Sequence, residues 1–239
     1  MKSNASQKIT LKGKSFFVTG NDDFWLGYKM GRWEPETFEI MEKYLDKDHS
    51  YVDFGAWIGP TVLFGAQIAK KVFALEPDMV AFDAFRTNLE MNPSINEKVV
   101  RNPIAVGRNT GIVSFGAMGE YGDSMSSLLG DKAMTVVHAF SMDDIFEKYK
   151  IFDCNFVKMD IEGGEALCLP TALEVFKKYK PTFYLSLHPQ FFKNTKDYFD
   201  RIFPVLALYK NIYNTKGELI TLKDIPSLKQ GSAIVATDL

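Results

Sequence analysis

The sequence predicts an α/β fold: a doubly wound, mostly parallel sheet with helices on both faces. Three observations carry this. Apolar runs of strand length alternate with amphipathic runs of helix length from residue 50 onward. The first such strand ends in a carboxylate and two glycines four apart, "YVDFGAWIGP" at 51–60. A later one ends in alternating charges, "FVKMDIEGGE" at 156–165. In sheets of this kind ligands bind beyond the carboxyl ends of the strands, so both motifs fall where a site belongs.

Taken in order, 8–30 reads as short strands and turns, with "SFFVTG" running into "NDD". "WEPETFEIMEKYL" reads as a helix, with Pro35 at its first position, acids in its first turn and an apolar stripe of Phe38, Met41 and Leu45. The strand at 51–54 feeds a helix at 60–69. "KVFALEP" is the next strand and 78–92 the next helix. "VVRNPIAV" is strand-like. "GIVSFGAM" and "MTVVHAF" form an antiparallel excursion around the loop 119–132. "SMDDIFEKY" is a short helix that Ser141 caps. "CNFVKMDIEG" is a strand, followed by a helix disturbed at Pro170. "PTFYLSLH", a helix at 195–206, "LYKNIYN" and "GSAIVATDL" complete the sheet. The expected organisation is an N-terminal extension, 1–48, packed on one domain, 49–239.

Composition narrows the function classes. At 239 residues, 46% hydrophobic and 14% aromatic, the chain holds enough apolar surface for a full core. Lys+Arg 28 against Asp+Glu 30 gives a net charge of −2, so no basic excess marks a nucleic-acid surface. The two cysteines, Cys154 and Cys168, have neither zinc-ligand nor redox spacing and read as reduced core thiols. The N-terminus lacks the apolar stretch of a secretion signal, and no run has the length of a membrane span, so the expected location is the cytoplasm, without membrane insertion.

Gly55 and Gly59 let the chain turn sharply into the first helix and let a ligand approach the backbone. The run fails the G-x-G-x-x-G pattern of dinucleotide sites, because Trp57 stands at its middle glycine. Asp53 at the strand end disfavours a diphosphate and suits a cation. The pattern therefore fits the amino-acid part of S-adenosylmethionine better than a pyrophosphate. Glu76, about twenty residues on, is placed to accept hydrogen bonds from ribose hydroxyls, while Asp78 behind it reads as a helix cap. Lys158, Asp160 and Glu162 share one strand face by their period of two, and charges at a central strand end are costly unless they face a site. Lys158 is placed either to hold a carboxylate in register or to keep Asp160 ionised. Glu165 reads as a plain first-turn acid.

With these motifs the chain resembles the FkbM-type methyltransferases, in Trp33-Glu34, in Val52-Asp53-Phe54-Gly55-Ala56-Trp57-Ile58-Gly59, in Glu76-Pro77, in Asn88 and Asn92, and in Lys158 through Glu165. The resemblance implies a Rossmann-like, seven-stranded class I methyltransferase sheet and methyl transfer from S-adenosylmethionine, leaving S-adenosylhomocysteine. The implied acceptor is a hydroxyl of a sugar or small natural product. The expected cofactor residues are Asp53, Gly55, Ala56, Trp57, Gly59, Glu76, Pro77 and Ala105. Expected at the chemistry are Asp160 and His188 as bases, with Lys158. Glu162 and Trp33 are expected on the acceptor.

No metal site is expected, although a divalent ion with Asp160 as one ligand is an option. The loop 121–130 offers Asp123 and Ser124 to the adenine or the acceptor. Trp25, Tyr28 and Trp33 offer a stacking surface, and the stripe from Phe191 to Phe203 reads as helix core. Two alternatives remain open. One is a non-catalytic binding module with Trp57 filling the pocket. The other is a nicotinamide-dependent oxidoreductase, disfavoured by the missing glycine.

Overall fold

A computed structural model describes residues 6–117, 120–122, 124–130, 132–229 and 231–239. The chain opens with an antiparallel hairpin, β1 (Gln7–Leu11) and β2 (Lys14–Val18), then α1 (Asp22–Lys29) and α2 (Pro35–Tyr44). Helix α1 lies where the sequence reading expected only strands and turns. Its burying face consists of Trp25 and Tyr28 alone, too few positions for a periodic signal.

Strand β3 (Ser50–Phe54) leads through the glycine turn to α3 (Pro60–Gly65). Then come β4 (Lys71–Leu75), α4 (Met79–Glu90), α5 (Pro93–Asn96) and β5 (Val99–Asn102). The excursion follows as β6 (Ala105–Val106), β7 (Gly111–Ala117), β8 (Ser126–Ser127) and β9 (Lys132–Phe140), a small sheet of its own in the order β6-β9-β7-β8. "VVRNPIAV" is thus divided between two sheets. The second half runs α6 (Met142–Lys148), β10 (Cys154–Met159), α7 (Glu165–Cys168), α8 (Leu173–Tyr179) and β11 (Thr182–Ser186). It ends with α9 (Thr195–Leu206), β12 (Asn211–Asn214), β13 (Leu219–Ile220) and β14 (Ala233–Thr237). Ser141 caps α6 through Asp144 N–H, and a 3-10 turn over Leu169–Thr171 separates α7 from α8 at Pro170, both as the sequence implied.

The main sheet has the order β13-β12-β14-β11-β10-β3-β4-β5. Strands β5, β4, β3, β10 and β11 are parallel, while β14 runs antiparallel between β11 and β12. This is the expected seven-stranded sheet with one addition, the two-residue β13 at its edge. So short a strand carries no period to read.

Successive residues of the central strands point to opposite faces. Val52, Phe54, Val157 and Met159 enter the core beneath α6 to α9. Tyr51, Phe156 and Tyr184 enter the core beneath α1 to α4. Asp53 and Lys158 are register partners on β3 and β10 and lie on the second face. The N-terminal hairpin is fastened there by two asparagines. Asn92 takes the N–H of Phe17 and donates to its carbonyl, while Asn88 takes the N–H of Thr19 and donates to Ile58 O in the glycine turn. Cys154 and Cys168 are buried and free. Among the described residues no helix is long and apolar enough to cross a membrane.

Candidate active site

A cavity of about 350 Å³ opens at the carboxyl ends of β3, β4, β10 and β11, within the range of small-ligand sites. Gly55, Ala56, Trp57, Glu76, Pro77, Ala105, Trp33, Lys158, Asp160, Glu162 and His188 all line it. Two of the expected residues do not.

Asp53 lies beneath the floor, fully buried. Its Oδ2 accepts from Tyr51 Oη and Thr61 Oγ1, at 2.5 and 2.6 Å, and its Oδ1 faces Lys158 Nζ at 3.7 Å. It shares the face of Tyr51 and is enclosed in the core there, outside the cavity lining. Gly59 also serves packing. At φ +96° it begins α3, and a Cβ there would come within 2.6 Å of the Phe85 ring. Gly55 has a stricter requirement. A Cβ at its φ of +87° would lie 1.9 Å from the Asp160 carbonyl oxygen, so the two strand ends meet because Gly55 has no side chain.

Trp57 lies on the wall and leaves the cavity open. Its backbone N–H donates to Glu76 Oε2 at 2.8 Å, and its indole N–H donates to Gly122 O at 3.1 Å. Glu76 ends β4 and takes a second backbone N–H, from Asp78, on Oε1. Burial pushes its carboxyl up to about 7 despite these two donors. Each oxygen keeps a lone pair for a further donor such as a ribose hydroxyl.

Asp78 does more than cap. Its Oδ1 caps α4 through Val80 and Ala81, while its Oδ2 accepts from Gly122 N and Ser126 Oγ. Ser127 Oγ donates to Glu162 O at 2.7 Å. The segment 124–128 is thereby held across the cavity, with Ser124 in its lining. Asp123 lies outside the described residues.

At the other end, two strand spacings or roughly 10 Å across the sheet, the charges converge. Lys158 Nζ lies 3.4 Å from Asp160 Oδ2. Burial lowers the Lys158 ammonium, but Asp160, Asp53 and Glu34 outweigh it and hold the group above its usual value. Burial acts to raise Asp160, and Lys158 and His188 outweigh it, keeping its carboxyl below the usual range. His188 Nδ1 donates to Glu165 Oε1 at 3.0 Å, and Tyr198 Oη donates to the same oxygen at 2.7 Å. His188 Nε2 faces the cavity, 3.5 Å from Asp160 Oδ1 and 3.6 Å from Glu162 Oε1. Burial depresses the imidazole, but Glu165, Asp160 and Glu162 push it up to about 9. These neighbouring acids favour the protonated imidazole in the ligand-free protein. Burial raises Glu162 to about 7.

Several residues escaped the sequence reading. Glu34 lines the cavity, and burial and then Asp160 raise it to about 7. Its signal was present in the Trp33-Glu34 pair. Glu165 orients His188 and is more than a first-turn acid. Phe191 leaves the expected helix stripe, lines the cavity and stacks on His188 at 6.0 Å between ring centres. Trp25 and Tyr28 are wholly buried in the core, so of the three aromatics only Trp33 reaches the cavity. Seven non-glycine residues among those described have positive φ, and three of them, Glu34, Trp57 and Glu162, line this cavity. Such backbone strain gathers at functional sites.

The strand order and the cavity beyond β3 and β4 define a class I methyltransferase fold. A model of the methyltransferase FkbM domain matches residues 53–213, and the chain belongs to that family of S-adenosylmethionine-dependent enzymes. Among solved structures, the FkbM methyltransferase of Methylobacillus flagellatus KT is 16% identical over 92% of this chain, with a TM-score of 0.51. This chain covers 56% of that one. A SAM-dependent methyltransferase from Agrobacterium tumefaciens is 8% identical, with 100% of this chain and 72% of that one covered and a TM-score of 0.51. An rRNA methylase from Streptococcus thermophilus is 13% identical, with 83% and 91% covered and a TM-score of 0.48. At these identities the first two likenesses show a shared fold. No sequence among the curated proteins matches the chain.

Proposed function

We propose that the protein transfers the methyl group of S-adenosylmethionine to a hydroxyl of a sugar or small natural product. The observation that carries this reading is the division of one cavity into two ends. Glu76, Pro77 and Ala105 form an end suited to a nucleoside, and Asp160, Glu162 and His188 form an end suited to a hydroxyl. Gly55, Ala56 and Trp57 lie between them and would hold the amino-acid part of the cofactor.

A sulfonium is an activated methyl donor, so alignment of the nucleophile and exclusion of water supply most of the catalysis. The hydroxyl must also give up its proton as the O–C bond forms. Asp160 is the group placed to accept that hydrogen bond and the proton, with its other oxygen held by Lys158. His188 positions Asp160 and Glu162, and Trp33 offers a face for a sugar ring. The carboxylates at this end and the net charge of −2 favour neutral acceptors over a nucleic acid. The N-terminal 48 residues belong, in this reading, to the same catalytic unit, because Trp33 and Glu34 complete the cavity. The protein would work in the cytoplasm.

The test is incubation with methyl-labelled S-adenosylmethionine and a panel of neutral sugars and hydroxylated metabolites. Labelled ether in at least one product, lost in Asp160→Asn, supports the reading. Binding of S-adenosylhomocysteine with no acceptor methylated across the panel would favour a non-catalytic module.

A further inference from the structure

We infer that Asp160, Glu162 and His188 form a binding site for a first-row divalent transition-metal ion at the acceptor end of the cavity. One donor atom from each of Asp160, Glu162 and His188 lies within 4.8 Å of the others, and His188 Nε2 faces Asp160 Oδ1 and Glu162 Oε1. The Nε2 separations of 3.5 and 3.6 Å are too long for good hydrogen bonds. They come close to the roughly 3.0–3.5 Å between ligands that sit about 2.1 Å from a shared ion.

A second observation lies outside the three ligands. His188 is nine-tenths buried, and its Nδ1 is bonded to the wholly buried Glu165, itself fixed by Tyr198. A carboxylate behind the imidazole holds the Nδ1 proton, so Nε2 is the nitrogen presented to a metal once the ion displaces its proton, as in many metal sites. Asp160 is divided in the same sense. Its Oδ2 is taken by Lys158, so the ammonium lies behind the ligand and leaves Oδ1 to the cavity.

The donor set selects the ion. One imidazole nitrogen with two carboxylates suits Mn²⁺, Fe²⁺, Co²⁺ or Zn²⁺, whereas Mg²⁺ and Ca²⁺ favour all-oxygen shells. Three protein ligands leave positions open toward the acceptor. The chemistry rests on the methyl-transfer reading above and changes only the carboxylate that takes the proton. The acceptor hydroxyl would coordinate the ion and its O–H bond would break, the proton passing to Glu34, which lines the same cavity. The oxygen then attacks the methyl carbon. The C–S bond breaks and its electron pair stays on sulfur, giving the methyl ether and S-adenosylhomocysteine. No oxidant or reductant is needed.

The experiment is a titration of EDTA-stripped protein with Mn²⁺, free ion being read by electron paramagnetic resonance. Glu162→Gln and His188→Gln are titrated beside the wild type, and thermal melting checks that each variant is folded. One Mn²⁺ per chain, bound at least tenfold more weakly in both variants and displaced by Zn²⁺ at lower concentration than by Mg²⁺, is the expected result. No stoichiometric Mn²⁺ in the wild type, or equal binding in folded variants, would overturn the proposal. S-adenosylhomocysteine binding, measured with EDTA present, separates this failure from failure of the methyltransferase reading.

Discussion

Lys158 Nζ lies 3.7 Å from Asp53 Oδ1 across the register of two neighbouring strands, and neither side chain is more than 3% exposed. Among the described residues no hydrogen bond reaches that Asp53 oxygen, so the ammonium is its compensation. Removing one partner of a buried pair leaves an uncompensated charge and costs about 3–5 kcal/mol. Lys158→Met is therefore expected to lower the melting temperature by roughly 10 °C in a chain of this size. Asp53→Asn, which keeps the shape and a polar group, is expected to lower it less. Thermal denaturation of both variants checks the order.

Gly55 and Gly13 both have positive φ, yet their surroundings differ. Among the described residues a Cβ at Gly13 meets nothing within 4 Å, while one at Gly55 meets the Asp160 carbonyl at 1.9 Å. Gly13→Ala is expected to cost about 1 kcal/mol, from backbone conformation alone. Gly55→Ala forces β3 and β10 apart and is expected to yield little folded protein. Equal stability of the two variants would contradict the strand-end contact.

Much of this was legible in the sequence, and the remainder has identifiable causes. The strand–helix alternation located the sheet because buried parallel strands read as short apolar runs. The period of two placed Lys158 and Asp160 on one face. The same period also turns Asp53 beneath the floor, but its direction depends on which face α2 and α3 cover, and no local pattern encodes that. Glu165 acts through His188, 23 residues away, and so shows no local spacing, while Glu34 was marked only by its place beside Trp33. Gly59 looked like a ligand-binding glycine because packing against Phe85 and approach to a cofactor demand the same absent side chain.

Glu76 is expected to make cofactor binding pH-dependent. Its folded-state carboxyl is raised from 4.5 to about 7, chiefly by burial. Between those values the ligand-free folded protein binds more protons than the unfolded chain, so this group's contribution to stability falls as pH rises through the window. In the proposed reading ribose hydroxyls donate to the ionised form. The affinity for S-adenosylhomocysteine is therefore expected to rise from pH 5 to pH 7 and level off above, with a proton released near pH 6. Calorimetry in buffers of different ionisation enthalpy reads the proton count. Glu76→Gln should bind more weakly and flatten the profile.

Asp78 links α4 to the segment across the cavity through Gly122 and Ser126. Asp78→Ala is expected to lose about 1 kcal/mol of helix capping. It should also weaken S-adenosylhomocysteine binding severalfold, because the segment is no longer held down. Ser126→Ala, which leaves the cap intact, should weaken binding without the loss of stability. Unchanged binding in both would remove the segment from the site.

The cavity beyond β3 and β4 is the centre of this account, and calorimetric titration with S-adenosylhomocysteine tests it most directly. One site per chain with micromolar affinity, about −8 kcal/mol, is expected. That site should be weakened by Glu76→Gln, retained in Asp160→Asn and not matched by NAD⁺. No heat of binding and no thermal stabilisation in the folded wild type would contradict the assignment of this cavity to the cofactor.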